Sequence, residues 1–324
     1  MRVFSGIQPT GEIHIGNYTG AIRQWISLQQ NNECIFCIVD LHSLTVPYKP
    51  DELKKRILEK VIVYIAAGVD PEKSIIFVQS EIKEHSELAW LLSTLTPLGD
   101  VNRMTQFKEK AKKYPKNVNL GLLNYPVLMA SDILLYKTDI VPVGIDQKQH
   151  IELTREIARK FNKKFGQTFK VPRILLPERG KKIYSLQNPK RKMSKTDKPQ
   201  TYISLFDSPE DIKEKIMASV TDLGRKILYS STKPGISNLL TIYSIFKEEP
   251  IKKIEKQFKG KGYELFKKSL VNLLIEKLEP FRRKKKELLK REIYIEEILN
   301  KGAKRAQVVA SSTIKEVKKK MGLI

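Results

Sequence analysis

The strongest constraint on the fold is a series of short, wholly apolar runs, each followed by a segment of helical periodicity. Val3 to Ile7, Cys34 to Asp40 and Ser74 to Val78 have strand length and carry apolar side chains on both faces. That pattern suits strands covered above and below, rather than strands with one wet face. Gly16 to about Gln30, Asp51 to Ala67 and Ser86 to about Thr96 read as the intervening helices, the second with Asp51 as its cap after Pro50 and its end near Gly68. The alternation continues with a helix over about 120–136, a strand over 139–143 and a helix over 147–165. Such a chain folds as an α/β protein with a Rossmann-like, doubly wound parallel sheet, and its ligands gather at the carboxyl ends of the strands.

After about Thr201 the pattern changes. Ser208-Pro209-Glu210-Asp211 is a strong helix start, with Ser at the cap and Pro in the first turn, and helices then continue to the end with no clear strand. Two domains are therefore expected: residues 1–205, holding the sheet, and an all-helical domain over 206–324. Two basic stretches, Lys108 to Lys116 and Pro189 to Pro199, read as mobile loops.

A chain of 324 residues can bury a core of that size. It contains no apolar run of membrane-spanning length, and its start reads directly into a strand, so a cytoplasmic protein without membrane attachment is expected. The formal charge of +24 favours a polyanionic partner, although a Lys-rich solubilising surface would give the same excess. Cys34 and Cys37, the only cysteines, lie inside an apolar strand and read as buried structural thiols, not a zinc or redox pair.

Two motifs point to chemistry on nucleotide phosphates. In the first, the strand ends in Gly6-Ile7-Gln8-Pro9-Thr10-Gly11, and His14-Ile15-Gly16-Asn17 opens the next helix. Free N–H groups at a helix start favour a phosphate, and an imidazole there can donate to an oxygen gaining charge; the alternative is a histidine that only caps the turn. In the second, Lys192-Met193-Ser194-Lys195-Thr196 places two lysines and two hydroxyls on a loop, suited to a departing pyrophosphate. On the 120–136 helix, Tyr125, Met129, Asp132 and Tyr136 share one face. An acid in such a stripe either pairs with a Lys or Arg or accepts from a ligand, and an indole or a phenol would fit. Val143-Gly144-Ile145-Asp146-Gln147, at a strand end, suits a ribose hydroxyl or an amino group.

These segments resemble the class I aminoacyl-tRNA synthetases, specifically the bacterial-type tryptophanyl-tRNA synthetases, over essentially the whole chain. The resemblance rests on Phe4 to Gly11, Met104-Thr105-Gln106-Phe107-Lys108-Glu109-Lys110, Tyr125-Pro126, Leu128 to Tyr136, Asp146 to Arg155, the Lys192–Thr196 loop and Pro234-Gly235-Ile236-Ser237-Asn238. It implies that tryptophan's carboxylate attacks the α-phosphate of ATP, carried with Mg2+, and that the resulting adenylate gives its acyl group to tRNA(Trp). By the same resemblance, Gln8, Pro9, Thr10, Gly16, Asn17, Lys110, Gly144, Ile145, Asp146, Ile183, Lys192, Met193, Ser194, Lys195 and Thr196 hold ATP. Gln8, His14, Lys192 and Lys195 would be catalytic. Asp132 would accept the indole N–H; Phe4, Met129 and Val143 would pack the ring; Tyr125 and Gln147 would hold the amino group, with His42 also in the tryptophan site. Family members are homodimers whose helical C-terminal half meets the anticodon.

The class signature usually ends in His where Asn17 is found, His14 replaces a common Thr, Thr196 replaces Ser, and Ile145 replaces a frequent Glu. Some relatives hold an iron–sulfur cluster on C-terminal cysteines; none is expected here, nor zinc. Three other readings compete: tyrosyl-tRNA synthetase, a small nucleotidylyltransferase, and a synthetase-like RNA-binding protein without chemistry.

Overall fold

The computed structural model describes residues 1–9, 12–176, 182–194 and 198–324. These form two compact units, the first from residues 1–10, 25–177 and 291–324, the second from 11–24 and 178–290.

The first unit is built on five parallel strands: β1 (Arg2–Ile7), β2 (Glu33–Ile38), β3 (Ser74–Val78), β4 (Ile140–Pro142) and β5 (Arg173–Leu175). Their order is β3-β2-β1-β4-β5, so the winding reverses between β1 and β4. The crevice at that reversal is where sheets of this kind take ligands. Every residue of β3 is buried, as are Cys34 to Ile38 of β2, which matches their unbroken apolar sequence. Burial pushes the thiol of Cys34 up to about 11 and that of Cys37 well above the ordinary range, so both are neutral packing groups.

The helices that flank the sheet are α1 (Pro50–Ala66), α2 (Glu84–Ser93), α3 (Leu120–Leu134) and α4 (Lys148–Phe165). The start of α1 differs from expectation: Pro50 is already in the first turn, Lys49 is the cap residue, and no side chain caps the helix. The Lys108–Lys116 stretch is also not a loop, because Thr105–Lys113 is a helix with no buried residue. The expected helix over 16–30 is realised as three consecutive pieces, with a π-helical segment over Tyr18–Ile22.

The second unit contains a helix over Pro209–Met217, α5 (Pro234–Lys247) and α6 (Tyr263–Leu288). Ser208 and Asp211 cap the first of these reciprocally, as the sequence predicts. The chain's final helix, α7 (Glu292–Lys320), belongs to the sheet's unit instead, so the compact units do not divide at 205. The reason is local. β3 is an edge strand, and α7 lies so close to it that a Cβ on Gly302 would be 1.8 Å from the Ile76 carbonyl oxygen. Only glycine admits that approach, and the helix thereby covers an edge that would otherwise be open to pairing. Ser311 donates to Glu84 on α2 at 2.9 Å, and Lys318 pairs with Glu87 at 2.9 Å.

Candidate active site

Asp132 lies on α3 with almost no exposure, yet it is ionised. Burial alone would raise its pKa. Hydrogen bonds from His42 and His85, and their positive character, outweigh that and hold it at about 2. Oδ1 accepts from Gln79 Nε2 at 2.6 Å and from His85 Nδ1 at 2.6 Å, while Oδ2 accepts from His42 Nε2 at 2.7 Å. Of the two readings open from sequence, the Lys or Arg partner is not what meets it; two imidazoles and an amide do. Nor is the carboxylate an acceptor with nothing bound; three donors already meet it. Phe4 stacks on Tyr136 at 5.7 Å, and Tyr136 follows the end of α3 rather than lying within it.

Two turns earlier on α3, the Tyr125 hydroxyl is 3.0 Å from His150 Nε2 on α4. Burial, reinforced by the charges of Lys110 and His42, pushes the pKa of His150 down to about 4, so the ring is neutral at pH 7. Lys110, on the Thr105–Lys113 helix, lies over the Tyr125 ring at 4.1 Å. Its own pKa is lowered by burial. The reading of Lys110 as a phosphate ligand thus meets a side chain parked beside the aromatic pocket. Met129 and Val143 are half-buried against the same core.

At the reversal of the sheet, Gln8 and Pro9 follow β1 and residues 143–147 follow β4. Asp146 accepts from the Gln147 amide at 2.8 Å, and Ile145 is 70% exposed, leaving its backbone as the useful contact.

The second unit holds the remaining motif residues. His14 is the cap of Ile15–Asn17, its Nδ1 accepting the Asn17 N–H at 3.2 Å, so the capping role is realised. A neutral ring bonded this way carries its proton on Nε2. A Cβ on Gly16 would meet that ring at 3.0 Å, so any larger residue there would crowd the cap. Ile15 N–H donates to Ile203 O at 3.0 Å, tying the motif to the segment after the lysine loop. Ile183 O accepts from Met193 N at 3.1 Å; Met193 is buried, whereas Lys192 is exposed. Met193 thus anchors this stretch through its backbone and its buried side chain. The amide of Asn238 on α5 bonds both backbone groups of Tyr184, each at 2.9 Å. Thr10, Lys195 and Thr196 lie outside the described residues.

Gln79, His85 and His150 did not emerge from sequence reasoning. A signal existed: the chain has four histidines, all buried, and three of them converge on Asp132 and Tyr125. Gln79 is also a polar residue directly after an apolar strand, at the sheet's carboxyl end.

A doubly wound sheet with Gln8-Pro9 and residues 143–147 at its reversal point, a buried carboxylate acceptor at Asp132, and a capped His-x-Gly-Asn turn are together what a class I aminoacyl-tRNA synthetase presents. Residues 1–279 match the family described as tRNA synthetases class I (W and Y), and the chain belongs to it. The tryptophan–tRNA ligase of Caldanaerobacter subterraneus is 51% identical over 325 residues, covering 100% of this chain and 98% of that protein. That of Wolinella succinogenes is 48% identical, covering 100% and 99%. The crystal structure of tryptophanyl-tRNA synthetase from Campylobacter jejuni, complexed with ADP and tryptophan, superposes with a TM-score of 0.87 at 35% identity, with 100% of both chains covered. Within the class, the chain is one of the bacterial-type tryptophanyl-tRNA synthetases.

Proposed function

We propose that L-tryptophan sits in the first unit with its indole N–H on Asp132, its ring among Phe4, Met129 and Val143, and its amino group at Tyr125 and Gln147 near His42. The observation that carries this reading is Asp132 itself, an ionised acid with 1% exposure in an aromatic setting. The complex of the Campylobacter jejuni relative with ADP and tryptophan supports it by analogy. The enzyme activates L-tryptophan with ATP to tryptophanyl-adenylate and transfers the acyl group to tRNA(Trp). Mg2+ enters with ATP as part of the substrate. Gln8 to Thr10, His14, Gly16, Asn17, Lys110, Gly144 to Asp146, the Ile183 backbone and the Lys192–Thr196 loop serve the nucleotide, with the lysines steadying the pyrophosphate as its charge grows.

The helices after residue 206 meet tRNA, and two copies of the chain work as a cytoplasmic homodimer. Support for the dimer comes from Trp90 and Leu120, 72% and 82% exposed on neighbouring helices joined by the Ser93–Asn124 hydrogen bonds. Among the described residues, no helix is long and apolar enough to cross a membrane.

The test is ATP–pyrophosphate exchange without tRNA. Wild-type protein should exchange with tryptophan and not with tyrosine, and Asp132→Asn should lower kcat/KM for tryptophan by about two orders of magnitude or more. A folded Asp132→Asn protein with unchanged kcat/KM would remove Asp132 from the site.

A further inference from the structure

We propose that Gln79, His85 and Tyr136 are positioning residues for amino-acid choice: Gln79 and His85, the latter held by the Tyr136 hydroxyl, saturate Oδ1 of Asp132 and direct the one remaining acceptor position, on Oδ2, toward the ligand. This rests on the reading of Asp132 as the acceptor of the ring N–H.

A carboxylate offers about four lone-pair positions. Two on Oδ1 are taken, by Gln79 and His85, and one on Oδ2 is taken by His42. One is left, and its direction is fixed only if the carboxylate cannot turn. Each partner is itself held. Gln79 is fully buried, and its Oε1 accepts the Leu41 N–H at 3.2 Å, so its NH2 is the group that must face Asp132. The same amide thereby ties the turn that carries His42 to the carboxylate. His85 is fully buried between Asp132 and the Tyr136 hydroxyl, which is 2.8 Å from Nε2. Its carbonyl accepts from Ser131 at 2.6 Å, next to Asp132 on α3. Tyr136 is wedged between Phe4, stacked at 11°, and Phe77, edge-on at 62°. The wall that would pack the indole therefore also braces the carboxylate that would bind its N–H.

A free carboxylate accepts from a ring N–H, a phenol or water alike. One locked by two bonds on its far oxygen accepts along a single direction, which converts a charge into a selector.

The experiment compares kcat/KM for L-tryptophan with that for β-(3-benzothienyl)-L-alanine, in which sulfur replaces the ring N–H, in ATP–pyrophosphate exchange by the full chain. His85→Ala should narrow the ratio by about tenfold, chiefly through a higher KM for tryptophan, with KM for ATP within about twofold of wild type. His85→Asn, which keeps a donor for Oδ1, should restore part of the ratio. Tyr136→Phe, which keeps both ring contacts, should narrow it by a few-fold. An unchanged ratio in cooperatively melting His85→Ala overturns the inference, as does an equal loss for both amino acids that His85→Asn does not relieve. If His85→Ala does not fold, unchanged ratios in both milder variants overturn it. Asp132→Asn in the same assay separates the two readings. If that variant collapses the ratio and the others leave it intact, only the positioning role falls. If it too leaves the ratio intact, the ligand reading itself fails.

Discussion

His150 makes the cost of a buried site measurable at the scale of a single residue. Its folded pKa is held near 4, while an unfolded histidine titrates near 6.5. Between those values the unfolded chain takes up a proton that the folded chain refuses, so stability falls as pH drops from about 6.5 to 4. From pH 7 to pH 5 the loss amounts to about 2 kcal/mol. Urea midpoints measured across that range should fall for wild type, and His150→Gln should flatten this part of the curve; parallel curves would show that His150 is not held neutral. Asp132 acts in a lower window and in the same direction, because its depressed pKa stabilises the fold above about 4 and loses that contribution as pH falls toward 2. Asp132 itself was legible in the sequence, since Tyr125, Met129 and Asp132 share a helical face. Its partners were not, apart from His42, which the family resemblance already put in the same site. Gln79, His42 and His85 come from other elements, and helical spacing along α3 says nothing about what faces it.

At the scale of elements, α7 is the informative one. Its Gly302 abuts the Ile76 carbonyl, and backbone cannot move aside as a flexible side chain can. Gly302→Ala should therefore destabilise the protein by about 3 kcal/mol, despite alanine's better helix propensity. Gly20→Ala is the control, because a Cβ there meets nothing within 4 Å. Denaturant titration of both checks this; equal midpoints would mean that α7 can draw back from β3 at little cost. Sequence reasoning recovered β1, β2 and β3 because their apolar runs are long and bounded. It missed β5, whose three half-exposed or exposed residues carry no alternation to read. It took Lys108 to Lys116 for a loop because the Thr105–Lys113 helix has no fully buried residue and only Phe107 packs on the core, so no apolar stripe marks it, although lysine is a good helix former. The docking of α7 was invisible for a further reason: a polar helix with a modest apolar face gives no sign of which surface it will cover.

For the whole molecule, the +24 charge raises the question of which cations are free to meet an RNA. The run from Arg282 to Lys286 on α6 looks uniform in sequence, but the structure divides it. Arg282 donates to the carbonyls of Ile275 at 2.8 Å and Asp207 at 3.2 Å and pairs with Glu279, so it fastens the helical unit. Lys284 pairs with Glu287, and Lys285 covers the Phe206 ring at 4.7 Å. Arg283 and Lys286 are exposed one turn apart on α6, and Lys290 is exposed in the turn that follows the helix. Those three are the residues suited to track phosphates. Replacing them together with alanine should weaken tRNA(Trp) binding and reduce the slope of log K against log salt by a little under one per lost contact. Tryptophan activation without tRNA should hardly change, because that step involves no RNA. Arg282→Ala should do the reverse: lower the melting temperature and leave the salt slope of the folded fraction as it was. A triple variant with an unaltered salt slope would place the RNA on another part of the surface and leave this face as solvated charge.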